Sequence, residues 1–171
     1  MSENETKECI NCRRTKISHE CGVCQAPLCK NCEKFLAAET FAYLPEVPAE
    51  LSHAFYCPDC HQEHVEPALA DYEEKMAQAK EMYFFFNTQR SLLPVLKKHT
   101  QPVRVENCED RDETILRLAF ISAHLGYNCV VEADVKSTKT RNGNHLKHLW
   151  TGTAIPAELD IARFERSTQG E

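Results

Sequence analysis

The sequence predicts an α+β chain of two small domains joined by a helical connector. Three observations carry that expectation. Eight of the ten cysteines crowd into residues 9–60, a glycine-free stretch of helical period fills 67–100, and the last third alternates strand and helix patterns. The expected boundaries are 8–66 for the cysteine-rich domain, 67–101 for the connector and 102–160 for the second domain. A flexible N-terminus (1–7) and a C-terminal tail (161–171) complete the 171 residues.

The cysteines form four Cys-x-x-Cys pairs: Cys9/Cys12, Cys21/Cys24, Cys29/Cys32 and Cys57/Cys60. A pair of this spacing turns two thiolates toward one ion at about 2.3 Å, and two pairs complete a tetrahedral shell. Four pairs therefore supply two all-thiolate sites, and two zinc ions are the cofactors expected. The rival reading of an even cysteine count is a disulfide framework, which belongs to exported proteins. Residues 1–7 are acidic and polar, without the apolar stretch or cleavage site of an export signal. A reducing compartment, the cytoplasm, is the expected location.

Spacing decides how the pairs share metals. Only Gln25 to Leu28 separate the second pair from the third, whereas 24 residues separate the third from the fourth. Placing the second and third pairs on one ion would need a very tight loop. An interleaved assignment relieves this and staples distant segments: Cys9, Cys12, Cys29 and Cys32 hold the first zinc, and Cys21, Cys24, Cys57 and Cys60 the second. Sequential sharing, first pair with second and third with fourth, is the alternative. Lys30 to Phe41 reads as a helix with the stripe Phe35, Leu36, Ala38 and Phe41, so the third pair would open a helix. His19, His61 and His64 flank the pairs, but eight thiolates already fill two shells. They are read as solvent-facing or as neighbours of the sulfurs.

The pattern Cys-x2-Cys-x8-Cys-x2-Cys-x4-Cys-x2-Cys-x24-Cys-x2-Cys resembles the eight-cysteine cross-brace of FYVE-type fingers, whose four-residue central gap matches Gln25-Ala26-Pro27-Leu28. The last pair, Tyr56-Cys57-Pro58-Asp59-Cys60, is similar to the Cys-Pro-x-Cys of RING fingers. Over residues 8–62 this resemblance implies a two-zinc treble-clef, cross-brace finger. FYVE domains read a phosphoinositide headgroup through a basic run up to the second pair. Here that place is Thr15-Lys16-Ile17-Ser18-His19-Glu20-Cys21, with one lysine, so phosphoinositide membrane binding is not carried over. RING fingers usually place a histidine in the second ligand pair, where this chain has Cys21 and Cys24. A RING-like ubiquitin-ligase module is therefore an alternative function.

Charge narrows the partners. Residues 1–66 carry six Lys/Arg against eleven Asp/Glu, and each zinc with four thiolates adds 2 − 4 = −2, taking this segment from −5 to about −9. That surface suits phosphate backbones poorly, so nucleic acid is not the expected partner. Residues 67–171 carry fourteen basic and fifteen acidic side chains and are nearly neutral. No run of 18 apolar residues exists to span a membrane.

In the connector, Leu69, Tyr72, Met76, Ala79, Tyr83 and Phe86 recur at steps of three and four, as one stripe of a helix. The run Tyr83-Phe84-Phe85-Phe86 is too apolar to face water all round. It must pack on the rest of the chain or on another copy, which makes a homo-oligomer one expectation. Ser91 would cap a second helix, Leu92 to Lys98, with Pro94 in its first turn.

The last third reads as a β-α-β-β unit. Val103 to Asn107 is a strand, and Asp110 with Glu113 forms a capping box for a helix from Arg111 to Leu125, ended by Gly126. That helix presents Ile115, Leu118, Ala119, Ser122 and Leu125 on one face. Cys129, Val131, Ala133 and Val135 then alternate onto one buried strand face, Asn142-Gly143 makes a turn, and Leu146 to Ile155 returns. Lys136, Lys139, Arg141, Lys147 and His148 gather on this hairpin, as a solvated surface or a dock for the acidic finger. Gly126-Tyr127-Asn128-Cys129-Val130-Val131 and Thr151-Gly152-Thr153-Ala154 are similar to segments of small bacterial βαββ domains that form rings and have been suggested to bind heavy metals. A metal-responsive protein using Cys108, Cys129, His124, His145 and His148 is thus a further alternative, but a lone strand cysteine is ordinarily a small core hydrophobe.

No phosphate-binding loop, nucleophile elbow or His-Glu-x-x-His helix is present in the sequence. The reading is a non-catalytic zinc-binding interaction or scaffold protein, with a protein partner that the sequence does not name.

Overall fold

A computed structural model of the chain describes residues 7–89 and 92–169, which divide after Glu73 into two compact units. Of the expected flexible N-terminus only Lys7 falls among them, and Ser91 lies outside them. No helix among the described residues is long and apolar enough to cross a membrane.

The first unit is built on two short antiparallel ribbons. β1 (His19–Glu20) pairs with β2 (Pro27–Leu28), and β3 (Lys34–Phe35) with β4 (Phe55–Tyr56). After β4 the chain enters α1 (Pro58–Cys60), widens into a π-helical turn (His61–Val65) and continues as α2 (Glu66–Lys80). Leu28, Leu36, Phe41, Leu51, Tyr56 and Val65 form the core, with Leu69 and Tyr72 of α2 packed on it. The expected helix over 30–41 does not form. Lys34 pairs with Tyr56, Phe35 with Phe55, and the Leu36 N–H donates to the Ala54 carbonyl (2.9 Å), so sheet pairing takes this backbone instead. Helix propensity over twelve residues is too weak to resist such tertiary pairing. The helix opens within the fourth pair, not the third.

The second unit is a five-stranded sheet. Its spine is β9 (His145–Leu159), antiparallel along one edge to β8 (Cys129–Asn142). On its other edge it pairs antiparallel with β6 (Val95–Lys98) and β7 (Val103–Cys108). β5 (Tyr83–Phe86) lies parallel to β8 at the sheet's far side. α3 (Arg111–His124) covers one face and Phe164 of α4 (Ile161–Thr168) reaches the other.

Five expectations differ from the structure. Tyr83 and Phe86 do not continue the helical stripe of Leu69 and Tyr72. As strand residues they face opposite ways, Phe84 and Phe86 into the α3-side core, Tyr83 and Phe85 into the other. A continuous apolar run is the pattern of a parallel strand covered on both faces. The segment Leu92 to Lys98 contains strand β6 rather than a helix, and residues 161–168 of the expected tail are helical. The hairpin loop is Gly143-Asn144, Gly143 at φ 61°, because Asn142 still pairs with His145. Finally, Cys129 and Val131 do not share a core with Ala133 and Val135. A bulge at Glu132 (φ 54°) shifts the register, so Val130, Ala133 and Val135 join α3 while Cys129 and Val131 face Phe164.

The β-α-β-β reading itself is found as β7, α3, β8 and β9. Asp110 caps α3, accepting from the Glu113 N–H at 2.7 Å, while the Glu113 carboxylate reaches back to the Glu109 N–H, one residue earlier than a standard capping box. Gly126 (φ 85°) follows the helix. Leu125 is exposed rather than buried, and Phe120 is fully buried instead.

Candidate metal centres

All four pairs share one turn. The residue following the second cysteine of each pair donates its N–H to the carbonyl of the first: Arg13 to Cys9 (2.8 Å), Gln25 to Cys21 (2.8 Å), Glu33 to Cys29 (3.1 Å) and His61 to Cys57 (2.9 Å). In the first two pairs that residue is left-handed, Arg13 at φ 57° and Gln25 at φ 60°. In the fourth the chain proceeds into helix, with Cys57 as the N-cap and its Sγ accepting from the Cys60 N–H at 3.4 Å.

Two further backbone bonds set the pairs side by side. The Ile10 N–H donates to the Pro27 carbonyl (3.0 Å) and the Gly22 N–H to the Phe55 carbonyl (2.9 Å). Both join the residue after the first cysteine of one pair to the residue two before the first cysteine of another. Between those carbonyls and their cysteines stand Leu28 and Tyr56, both fully buried. The two centres thus repeat one construction: a knuckle hydrogen-bonded to a short strand that delivers the partner pair.

The construction gathers Cys9, Cys12, Cys29 and Cys32 in one set and Cys21, Cys24, Cys57 and Cys60 in another, the sulfurs of each set all within 4.8 Å of one another. These are the interleaved groupings. Cys12 and Cys29 Sγ are 3.5 Å apart and Cys24 and Cys57 Sγ 3.8 Å. A tetrahedron with metal–sulfur bonds of about 2.3 Å has edges of about 3.8 Å, whereas a disulfide needs about 2.05 Å. The sulfurs therefore stand at the spacing of a shared ion, and either set could hold one.

The thiols are electrostatically uneven. Backbone N–H groups of Cys12 and Cys29 pull Cys9 down to about 6. Burial pushes Cys21 up, but N–H groups of Cys24, Cys57 and Val23 outweigh it and bring it down to about 6. The Arg14 N–H favours the Cys12 thiolate, yet its sulfur neighbours, Cys29 foremost, and burial raise it to about 11. Burial, then Cys57 and the other sulfurs, raise Cys60 further still. Four crowded sulfurs cannot all be anions without a cation among them.

Several contributors were not legible beforehand. Asn11 Nδ2 donates to Cys32 Sγ (3.3 Å), an outer hydrogen bond to a candidate ligand. His19 stacks on Phe55 with ring centroids 3.7 Å apart, its Nδ1 2.6 Å from Glu33 Oε2. His61 Nδ1 lies 3.4 Å from Glu66. Neither these nor His64 joins a set.

The C-terminal cysteines and histidines are not brought together. Cys108 is buried in the α3-side core and Cys129 in the opposite one, where burial pushes its thiol up to about 12. Among the described residues, the two four-cysteine sets are the only groups of three or more ligating side chains found. Comparison with protein-family models, with curated proteins and with solved structures finds no match to the chain.

Proposed function

We propose that the protein is a non-catalytic interaction or scaffold protein of the cytoplasm whose first unit is a cross-braced, treble-clef double-zinc finger. The observation that carries this is the pair of all-cysteine sets at the sulfur spacing of a tetrahedral ion. Four thiolates close the shell and leave no position for water or substrate, which is the arrangement of a structural rather than a catalytic zinc site. The helix that begins at Cys57 supports the treble-clef assignment for the second centre. Eight reduced thiols at metal spacing suit a reducing compartment.

Metal analysis and cobalt substitution test the reading together. About two equivalents of zinc should survive stringent dialysis, and the cobalt form should give the intense absorption of tetrahedral all-sulfur sites. One equivalent or none would overturn the double finger. Exchangeable water on the cobalt would overturn the closed, structural role.

A further inference from the structure

Past the Ser137–Trp150 pair the β8–β9 ribbon leaves its sheet. β7 pairs with β9 only as far as Trp150, and β5 with β8 only as far as Ala133. Thr138 to Asn142 therefore extend a two-stranded arm of about 17 Å with no third strand among the described residues. Thr138 to Arg141 and Leu146 to His148 are exposed. A bare two-stranded ribbon is marginal in water unless something covers it. The register puts Lys139 opposite His148 and Arg141 opposite Leu146, so one face presents two cations around Leu146, which is 60% exposed. No Asp or Glu occurs between Asp134 and Glu158.

The first unit carries the complement. Phe35, Leu36, Phe41, Val47 and Leu51, with three alanines, line most of an apolar groove of about 460 Å³, and Phe35 is 66% exposed. Between Lys34 and Lys75 the chain has nine Asp/Glu and no Lys or Arg. Exposed Glu39, Glu46 and Glu50 flank the lining residues in sequence, and none of them forms an ion pair among the described residues. Lys139, Arg141 and Lys147 likewise form no ion pair among the described residues.

We propose that the β8–β9 arm of one copy docks in the acidic, apolar groove of a second copy, Leu146 entering the groove while Lys139 and Arg141 meet its glutamates. Apolar insertion supplies affinity and the opposed charges supply orientation and rate. The contact goes beyond the scaffold reading and requires only a folded finger. Zinc content is therefore measured on every variant, so loss of the contact is distinguishable from loss of the metal centres.

Sedimentation velocity of the full, zinc-loaded chain tests it. The wild type should self-associate at low ionic strength and weaken markedly between about 0.05 and 0.5 M salt, as screened charges do. Lys139→Glu/Arg141→Glu and, separately, Phe35→Ser should each weaken association at least about tenfold while keeping zinc. Mixed together, the two variants should associate again, because the intact arm of one meets the intact groove of the other. A wild type that stays monomeric at low salt would overturn the proposal. So would association that both variants retain, or an arm whose double variant loses only binding to duplex DNA.

Discussion

At Gly152 of β9, side chains of α3 press close against the sheet. A Cβ built there would lie 2.7 Å from Thr114 Cγ2 and 2.8 Å from Leu118 Cδ1, both on fully buried side chains. Gly152→Ala should therefore destabilise the second unit by about 1–3 kcal/mol, the usual cost of overpacking, seen as a lower denaturant midpoint with unchanged metal content. Cys129 makes a pH prediction. Its folded value of about 12 lies above the about 8.5 of an exposed thiol, so burial favours the protonated form. Its contribution to stability is intact below about pH 8.5 and is lost as pH rises toward 12. Cys129→Ala should make the alkaline decline in stability shallower, and native Cys129 should resist alkylation at neutral pH. At this scale the cysteines were legible because Cys-x-x-Cys has few other uses. The left-handed Arg13 and Gln25 were not, since neither residue type announces a positive φ.

Among the elements, α3 was the most legible because its signals are local: Asp110 and Glu113 at the start and Gly126 at the end. Asp110→Ala should remove the cap and cost about 0.5–2 kcal/mol, measurable by thermal or urea unfolding. Elements that depend on distant partners were misread. The helix-forming residues after Cys32 become β3 because β4 pairs with them, and the aromatic run becomes β5 because β8 lies alongside it. The three-and-four spacing of Tyr83 and Phe86 coincides with a helical stripe, but length and flanking residues could not separate a short covered strand from a helix end. The bulge at Glu132 is likewise written in no local motif, so the predicted alternation held for only part of β8.

For the whole molecule, metal and folding should be coupled where the candidate ligands are. The first unit's core is small and shares Cys21, Cys57 and Cys60 with one candidate metal centre, whereas the second unit has two cores of its own on either side of a sheet. Chelation should unfold the first unit and leave the second unit's amide protection intact. Loss of protection in both units would show that the second depends on the metal. The division of the chain into a cysteine-rich part and an α/β part was readable from composition, while the paired construction of the two centres needed the backbone bonds of Ile10 and Gly22 to reveal it. The most direct test of the account is the cadmium-substituted chain observed by NMR through cadmium–cysteine couplings. Two cadmium resonances are predicted, one coupled to Cys9, Cys12, Cys29 and Cys32 and the other to Cys21, Cys24, Cys57 and Cys60; a single resonance, or a cadmium shared by Cys9 and Cys21, would contradict it.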